Sequence, residues 1–471
     1  MPNRVTRRAR ALMLASLACA TAPCVTGVAA AADDARFIDI GQQLAQVQAQ
    51  LQQLAQENRS LREHQQQIER QLAQLTGAAA ALSAAVPAPA DSSALPAPST
   101  PATLSGSPLA PGLRLWGYGE MYYTDPTRDG NKAQADLARA VFGLGYSFDE
   151  RTEFNSEYEV EHAVASASDA GEFEVEQFYV DRRLNEAVSA RGGLFLMPFG
   201  LLNEYHEPTR FYGVQRNFVE TLIIPSTWRE GGFNLHGDTR AGFGWNLGLT
   251  TGFDVSKWDF APALPPYTSA LGLANSGAAP LQATHQELAL ANAHHLSQYA
   301  ALSYYGVPGL LLGGAISSGE SPAPGDPRVS LWEAHMRWTP AKFDLSALYA
   351  RGSISNAGPL NAAHPNSPNP LPSSFYGYFL QGAYRLWEQG DYRAAPFVRW
   401  ERYNLGASYA GTSGPVIPAG LVGLWPRSED RVWTAGANFY VGAHLVLKGD
   451  YQWFQLNQGF RRFDLGLGVS F

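Results

Sequence analysis

From Leu113 to Phe471 the sequence repeats with a period of two, and the links between repeats are sorted by length. In the final segment, Phe463, Leu465, Leu467, Val469 and Phe471 alternate with Arg462, Asp464, Gly466, Gly468 and Ser470. Alternation puts one set on each face of a strand. Ala138, Ala140, Phe142, Leu144, Tyr146 and Phe148 likewise oppose Arg139, Gly143 and Gly145, and Phe243, Trp245, Leu247 and Leu249 oppose Gly244, Asn246 and Gly248. The segments read as strands are 113–124, 137–148, 152–164, 173–184, 188–197, 229–238, 241–252, 296–307, 309–318, 329–339, 342–351, 374–387, 392–404, 430–441, 443–455 and 462–471. Even-to-odd links are short, as at Asp149-Glu150-Arg151, Thr339-Pro340-Ala341 and Gly442. Most odd-to-even links are long, notably 198–228, 253–295, 352–373 and 405–429.

A soluble sandwich alternates too, but it has no reason to sort its loops. An outer-membrane barrel does, with short turns at one end and long loops at the other. Most segments also approach the roughly 9–11 residues of a tilted membrane strand. In lipid every backbone polar group must be paired, which strands achieve only by closing into a barrel. The expected fold is therefore all-β: a transmembrane antiparallel β-barrel of about 16 strands, spanning 113–471. Trp116, Tyr122, Tyr123, Tyr304, Tyr305, Tyr440, Tyr451 and Trp453 are expected in the aromatic girdles.

A different pattern precedes the barrel. Arg4, Arg7, Arg8 and Arg10 followed by an apolar stretch read as a signal peptide over 1–32. Both cysteines, Cys19 and Cys24, fall within it, so no disulfide is expected afterwards. Phe37, Leu44, Leu51, Asn58, Gln65 and Leu72 then recur every seventh residue, with Ile40, Val47, Leu54, Leu61, Ile68 and Leu75 three residues after each. This a/d register predicts a short α-helical coiled coil over 33–76. Residues 77–112 are rich in Ala, Pro and Ser and read as an extended linker.

The polar strand faces should line a lumen. Arg114, Glu120, Arg139, Glu153, Glu157, Glu159, Arg191, Glu333, His335, Arg337, Arg399, Glu401, Lys448 and Asp450 are the expected pore-lining charges. Connection 198–228 is too apolar for a free loop, with Phe199, Phe211, Phe218, Leu222 and Ile223 among its residues. Folded inward, it would set a constriction carrying Glu204, His206, Glu207, Arg210, Arg216 and Glu220. No catalytic constellation is evident, no cofactor is called for, and no histidine shares metal-ligand spacing with another histidine or cysteine. Glu157, Glu159 and Glu161 with Glu172, Glu174 and Glu176 could bind divalent cations at the outer rim if their carboxylates converge. A net charge of -8 gives no reason to expect nucleic-acid binding.

Arg-Gly-Gly-Leu-Phe-Leu-Met-Pro-Phe-Gly at 191–200, Ile-Pro-Ser-Thr-Trp-Arg-Glu-Gly-Gly at 224–232 and Phe-Val-Arg-Trp-Glu at 397–401 resemble the phosphate-selective porin O/P family. The likeness spans most of 113–471 and includes the C-terminal Phe of the kind barrel-assembly machinery recognises. It implies a sixteen-stranded homotrimeric channel whose third loop folds into the pore, with anion selectivity from lumen arginines and a lysine cluster. The lysines here are Lys132, Lys257, Lys342 and Lys448, which are scattered.

The expected function is an outer-membrane porin for passive diffusion of small hydrophilic solutes or ions, phosphate and other anions among them. Its coiled coil would lie in the periplasm, free to meet the cell wall or a periplasmic partner. The alternative is a structural outer-membrane tether whose barrel is mainly an anchor, recognisable by a sealed pore. A barrel enzyme would need a Ser/His or Asp/His group at one rim, and none stands out.

Overall fold

The computed structural model describes residues 112–127, 133–162, 172–260, 279–414, 429–456 and 461–471. The expected signal peptide, coiled coil and linker lie outside these residues, Gly112 apart. Seventeen strands form one antiparallel sheet. They are β1 (Leu113–Pro126), β2 (Gln134–Ser147), β3 (Thr152–Glu161), β4 (Glu172–Arg183), β5 (Ser189–Leu196), β6 (Arg229–Asp238), β7 (Phe243–Thr250), β8 (Ser297–Val307), β9 (Leu310–Glu320), β10 (Arg328–Trp338), β11 (Phe343–Ile354), β12 (Pro372–Tyr384), β13 (Trp387–Gln389), β14 (Tyr392–Tyr409), β15 (Glu429–Val441), β16 (Leu445–Phe454) and β17 (Arg461–Ser470).

Each strand pairs with the next, save that β12 pairs with β14 past the short β13, and β17 returns to β1 in a register running from Tyr118↔Ser470 to Pro126↔Arg462. The sheet is thus a closed barrel with no free edge. β13 is only three residues long and shares the partner β14 with β12, so it extends that hairpin and leaves sixteen wall strands. Every expected strand overlaps one of these. At the two-residue turn between β8 and β9, Pro308 presets its own φ and Gly309 takes φ 77°, a combination suited to a type II turn.

The wall is inside-out relative to a soluble protein. Phe142, Phe173, Phe178, Phe233, Leu247, Leu302, Ile316, Leu380, Leu447 and Leu465 are exposed on its outer face. Glu157, Glu159, Arg139, Arg399, Glu401, Asp450 and Asp464 alternate with such residues and are buried. Large apolar side chains on the outside and charges on the inside suit a barrel in lipid. No helix among the described residues is long and apolar enough to cross a membrane; the crossing elements are strands.

Several inward positions differ from expectation. Trp116 and Tyr122 alternate with the outward Leu115, Met121 and Tyr123, so they face the lumen instead of a girdle. Tyr440 is also turned inward and buried. The interior is not polar throughout. Val329 and Leu331 of β10, Leu348 of β11, Phe375 and Phe379 of β12, Tyr403 of β14 and Val432 of β15 form an apolar patch on the inner wall. Phe218, Val219, Leu222 and Ile223 of the connection after β5 join this core, as do Phe253, Val255, Trp258 and Leu281 of the connection after β7. Connection 355–371 carries a short helix, α1 (Ala357–Ala363). Its Asn361 donates to the Leu371 and Ala410 carbonyls at 2.9 and 2.8 Å, tying two long loops together.

Candidate functional site: an inner loop across a charged lumen

The connection between β5 and β6 forms the inner loop, and its own side chains shape it. Asn203 Nδ2 donates to the carbonyls of Met197 and Trp228 at 2.7 and 2.8 Å, and its Oδ1 accepts from Trp228 N at 2.6 Å. These bonds close the neck. Glu220 Oε1 accepts from the N–H groups of Leu201 and Leu202, which joins the two arms. The apolar side of the second arm then covers the wall patch described above, so burial and hydrogen bonding act together.

Docking uses backbone groups of the loop and lumen-facing side chains of the wall. Phe218 N donates to Glu401 Oε2 at 2.6 Å, and Val214 N to Asp450 Oδ2 at 2.6 Å. Gly213 N donates to Asn438 Oδ1 at 3.2 Å, while Asn438 Nδ2 donates to the Phe211 carbonyl at 3.0 Å. On the β1–β4 side, Arg139 Nη2 donates to the His206 carbonyl at 2.6 Å. Hydrogen bonds to a charged partner are each worth roughly 1.5–3 kcal/mol. Gly468 makes room for the crossing: a Cβ there would stand 2.5 Å from Pro208 Cβ.

The expected pore-lining charges all face inward, and most are paired. Arg114 reaches Glu153 at 2.8 Å, Arg139 reaches Glu120 at 2.7 Å and Glu159 at 3.8 Å, and Arg399 reaches Glu401 at 2.9 Å. His335 meets Glu333 at 2.8 Å, Arg191 meets Asp181 at 3.0 Å, and Arg337 meets Asp344 at 2.6 Å. Lys448 is buried with its Nζ 3.4 Å from the centre of the Phe211 ring, a cation–π contact.

The inner-loop residues divide in two. Glu204, His206, Glu207 and Arg210 line a cavity of about 420 Å³ with Arg114, Glu153 and Arg191, on the side of the short turns. Arg216 turns back to Ser226 and Thr227 at 2.8 and 3.0 Å. His206 and Glu220 are buried. Burial pushes the Glu220 carboxyl up, against the pull of its donors. Burial also holds the His206 imidazole down at about 3, aided by Arg216 and Arg139 beside it.

Sequence reasoning missed two members of the site. Tyr118 had been passed over, yet its hydroxyl lies 2.6 Å from Glu157 Oε1 and 2.6 Å from His206 Nε2. Glu176 was placed with the outer rim, yet it is fully buried beside them. Its position follows from a β-bulge: Glu157 pairs with Gln177 and Tyr158 with Val175, so Glu176 has no partner in the ladder and turns inward next to Gln177. The signal is in the sequence. The outward series Phe173, Val175 shifts phase by one before Phe178, Val180.

No family model matches the sequence. An uncharacterized protein of Aquifex aeolicus (strain VF5) is 29% identical over 353 residues, covering 72% of this chain and 75% of its own length. Among solved structures, a Salmonella typhi OmpF complex with daunomycin aligns with TM-score 0.49 and 11% identity, over 76% of this chain and 97% of that one. The anion-selective porin from Comamonas acidovorans gives 0.45 and 10%, over 76% and 99%. Pseudomonas putida OprB at high pH gives 0.45 and 10%, over 76% and 94%. The barrel assignment rests on the strand pairing and the inside-out wall.

Proposed function

We propose that the protein is an outer-membrane channel through which small hydrophilic solutes or ions diffuse passively, with the inner loop setting the cutoff. The carrying observation is the combination of an apolar outer wall, a charged inner wall and a loop hydrogen-bonded across the lumen to strands on both sides. A barrel serving only as an anchor has little use for so many buried charges, since each costs several kcal/mol to desolvate. The passage would run along the charged side, past Arg114, Glu153 and Arg191, which line the cavity beside the inner loop, because the apolar core fills the side of β10–β14. Both signs of charge line it, so ion preference depends on which few groups stay unpaired.

The barrel begins at Gly112, at the short-turn end. The heptads of 33–76 would lie in the periplasm and associate with those of other copies, as a homotrimer in the simplest case.

The test is single-channel recording of the purified full chain in a planar bilayer, with reversal potential in a KCl gradient and phosphate titrated as blocker. Steady channels support the proposal, and the sign of the reversal potential assigns charge preference. Block by low phosphate would add anion specificity. Folded barrels that conduct nothing would overturn it.

A further inference from the structure

Most charges of the lumen pair off, but at one place the donors converge instead. Glu157 on β3, Glu176 on β4 and His206 on the inner loop are all buried, and their ligand atoms lie within 4.8 Å of one another. His206 Nε2 is 3.6 Å from Glu176 Oε2. That is close to the roughly 3.3 Å edge of a tetrahedron around an ion with zinc-type bonds of about 2.0–2.1 Å.

The Tyr118 hydroxyl sits among these atoms, 2.6 Å from Glu157 Oε1 and His206 Nε2 and 3.2 Å from Glu176 Oε2. A hydroxyl carries one proton. It satisfies one of the three acceptors and leaves lone pairs facing one another in a buried place. Glu176 is fully buried, and its Oε1 has no hydrogen-bond donor. The group beside it is a third carboxylate, Glu159. Arg139 gives its Nε to Glu120 and its Nη2 to the His206 carbonyl, and its Nη1 faces Glu159 at 3.8 Å. Gln177 supplies Glu157 Oε2 with a bond at 2.5 Å, which leaves Oε1 for the centre.

The imidazole is already oriented. His206 Nδ1 lies 2.9 Å from the Asn203 carbonyl, which only accepts, so Nδ1 carries the proton and Nε2 offers its lone pair to the cluster. An outer partner of this kind fixes the ring of a metal-binding histidine. Two carboxylates and one imidazole suit a first-row divalent ion of the zinc class, whereas calcium and magnesium favour oxygen throughout.

We propose that Glu157, Glu176 and His206 form a binding site for a divalent transition-metal ion, with the Tyr118 hydroxyl oxygen as the fourth ligand, and that the ion pins the inner loop to β3 and β4. On binding, the Tyr118 hydroxyl moves off the point of convergence and coordinates from its edge. The site does not depend on the channel reading, because binding is measured on folded protein in detergent without conductance.

The test uses the purified full chain, stripped with chelator and titrated with Zn²⁺, then with Co²⁺ as a spectroscopic probe. After dialysis the metal content should reach one zinc per chain, zinc should raise the melting temperature, and EDTA should reverse the rise. Cobalt should give the visible absorption of a four-coordinate ion. Glu176→Gln and His206→Gln should each weaken binding by tenfold or more. The exposed pair His294 and His295, replaced by alanine, should leave it unchanged. Wild-type protein that retains no zinc, or zinc lost only on replacing His294 and His295, would overturn the proposal. If a site variant does not fold, the wild-type metal content, thermal shift and cobalt spectrum decide.

Discussion

Glu220 is the residue on which the inner loop's shape depends most directly. Its Oε1 accepts from Leu201 N at 2.5 Å and Leu202 N at 2.8 Å, and its Oε2 accepts from Asn217 Nδ2 at 2.6 Å. Asn217 Oδ1 in turn accepts from Glu220 N at 2.8 Å. Glu220→Ala strips the acceptor from all these side-chain bonds. Each is worth roughly 1.5–3 kcal/mol, but relief of the buried charge returns part of that. The loss should be about 3–5 kcal/mol, the three bonds together less that return. Glu220→Gln keeps the shape and loses less. Its amide N–H₂ must face either the two backbone donors or Asn217 Nδ2, and Asn217 cannot flip without releasing Glu220 N. A cost of about 1–2 kcal/mol follows. The assay is hydrogen exchange by mass spectrometry on peptides covering 197–228. With every 1.4 kcal/mol worth tenfold, exchange should accelerate roughly 5–30-fold in the glutamine variant and more than about a hundredfold in the alanine variant. These bonds lie within the loop, so exchange of the wall strands should not change. Unaltered exchange at Leu201 and Leu202 in Glu220→Ala would refute the reasoning, as would unfolding of the strands together with the loop.

Further predictions follow from the docking geometry and the wall. His206 is held at about 3, chiefly by burial, against about 6.5 when released. The released ring binds a proton that the docked ring refuses, so docking is fully stabilised above about pH 6.5 and weakens as pH falls toward 3. Between pH 7 and pH 5 the loss should be about 2 kcal/mol, seen as faster exchange over 203–210 after correction for intrinsic rates and absent in His206→Asn. Gly468→Leu should displace Pro208, since even a Cβ would stand 2.5 Å from its Cβ; larger or noisier conductance from a folded barrel would show it, and wild-type traces would contradict it. Leu247 is exposed midway along β7, so Leu247→Arg should destabilise the barrel in lipid by about 2–4 kcal/mol, measured by urea titration in vesicles. The same variant should unfold at an unchanged urea concentration if that face is not in lipid.

The barrel was legible because its rules are strict. Closure, the period of two and the sorted turn lengths each follow from lipid's refusal of unpaired backbone groups. Phe463 and Leu465 face out and Arg462 and Asp464 face in, as the terminal alternation requires. The interior was less legible because lumen faces obey no such rule. Val329, Leu331 and Phe375 point inward although apolar, since the cluster they join is filled by residues of distant connections such as Phe218, Ile223 and Val255. Trp116 faces inward because its strand phase is set by Leu115 and Met121, and its ring lies over Gly143. The meeting of His206 with Glu157 and Glu176 needs both a loop trajectory and a bulge. Only the bulge leaves a trace in the sequence, the phase shift between Val175 and Phe178.

The apolar patch and the charged belt together explain how the inner loop is held across the barrel. A loop held only by hydrogen bonds to lumen charges would keep roughly 1.5–3 kcal/mol for each against exchange with water and nothing from its apolar side chains. One held only by apolar contacts would have no fixed register. Here Phe218 supplies both: its ring is buried in the cluster with Tyr403 and Phe454, and its N–H is fixed by Glu401. Glu401 is in turn paired with Arg399, which also reaches the Tyr212 carbonyl. In the first arm the core takes only Phe199 and Leu201, at its start; residues 203–210 have no such apolar seat. This arm rests on Arg139 and on the carboxylates around His206, and it is the arm whose Glu204, Glu207 and Arg210 line the cavity. The second arm is therefore a fixed wall and the first the adjustable side of the passage. In the channel we propose, substitutions or ions that act on His206 should alter conduction with the barrel and the second arm left in place.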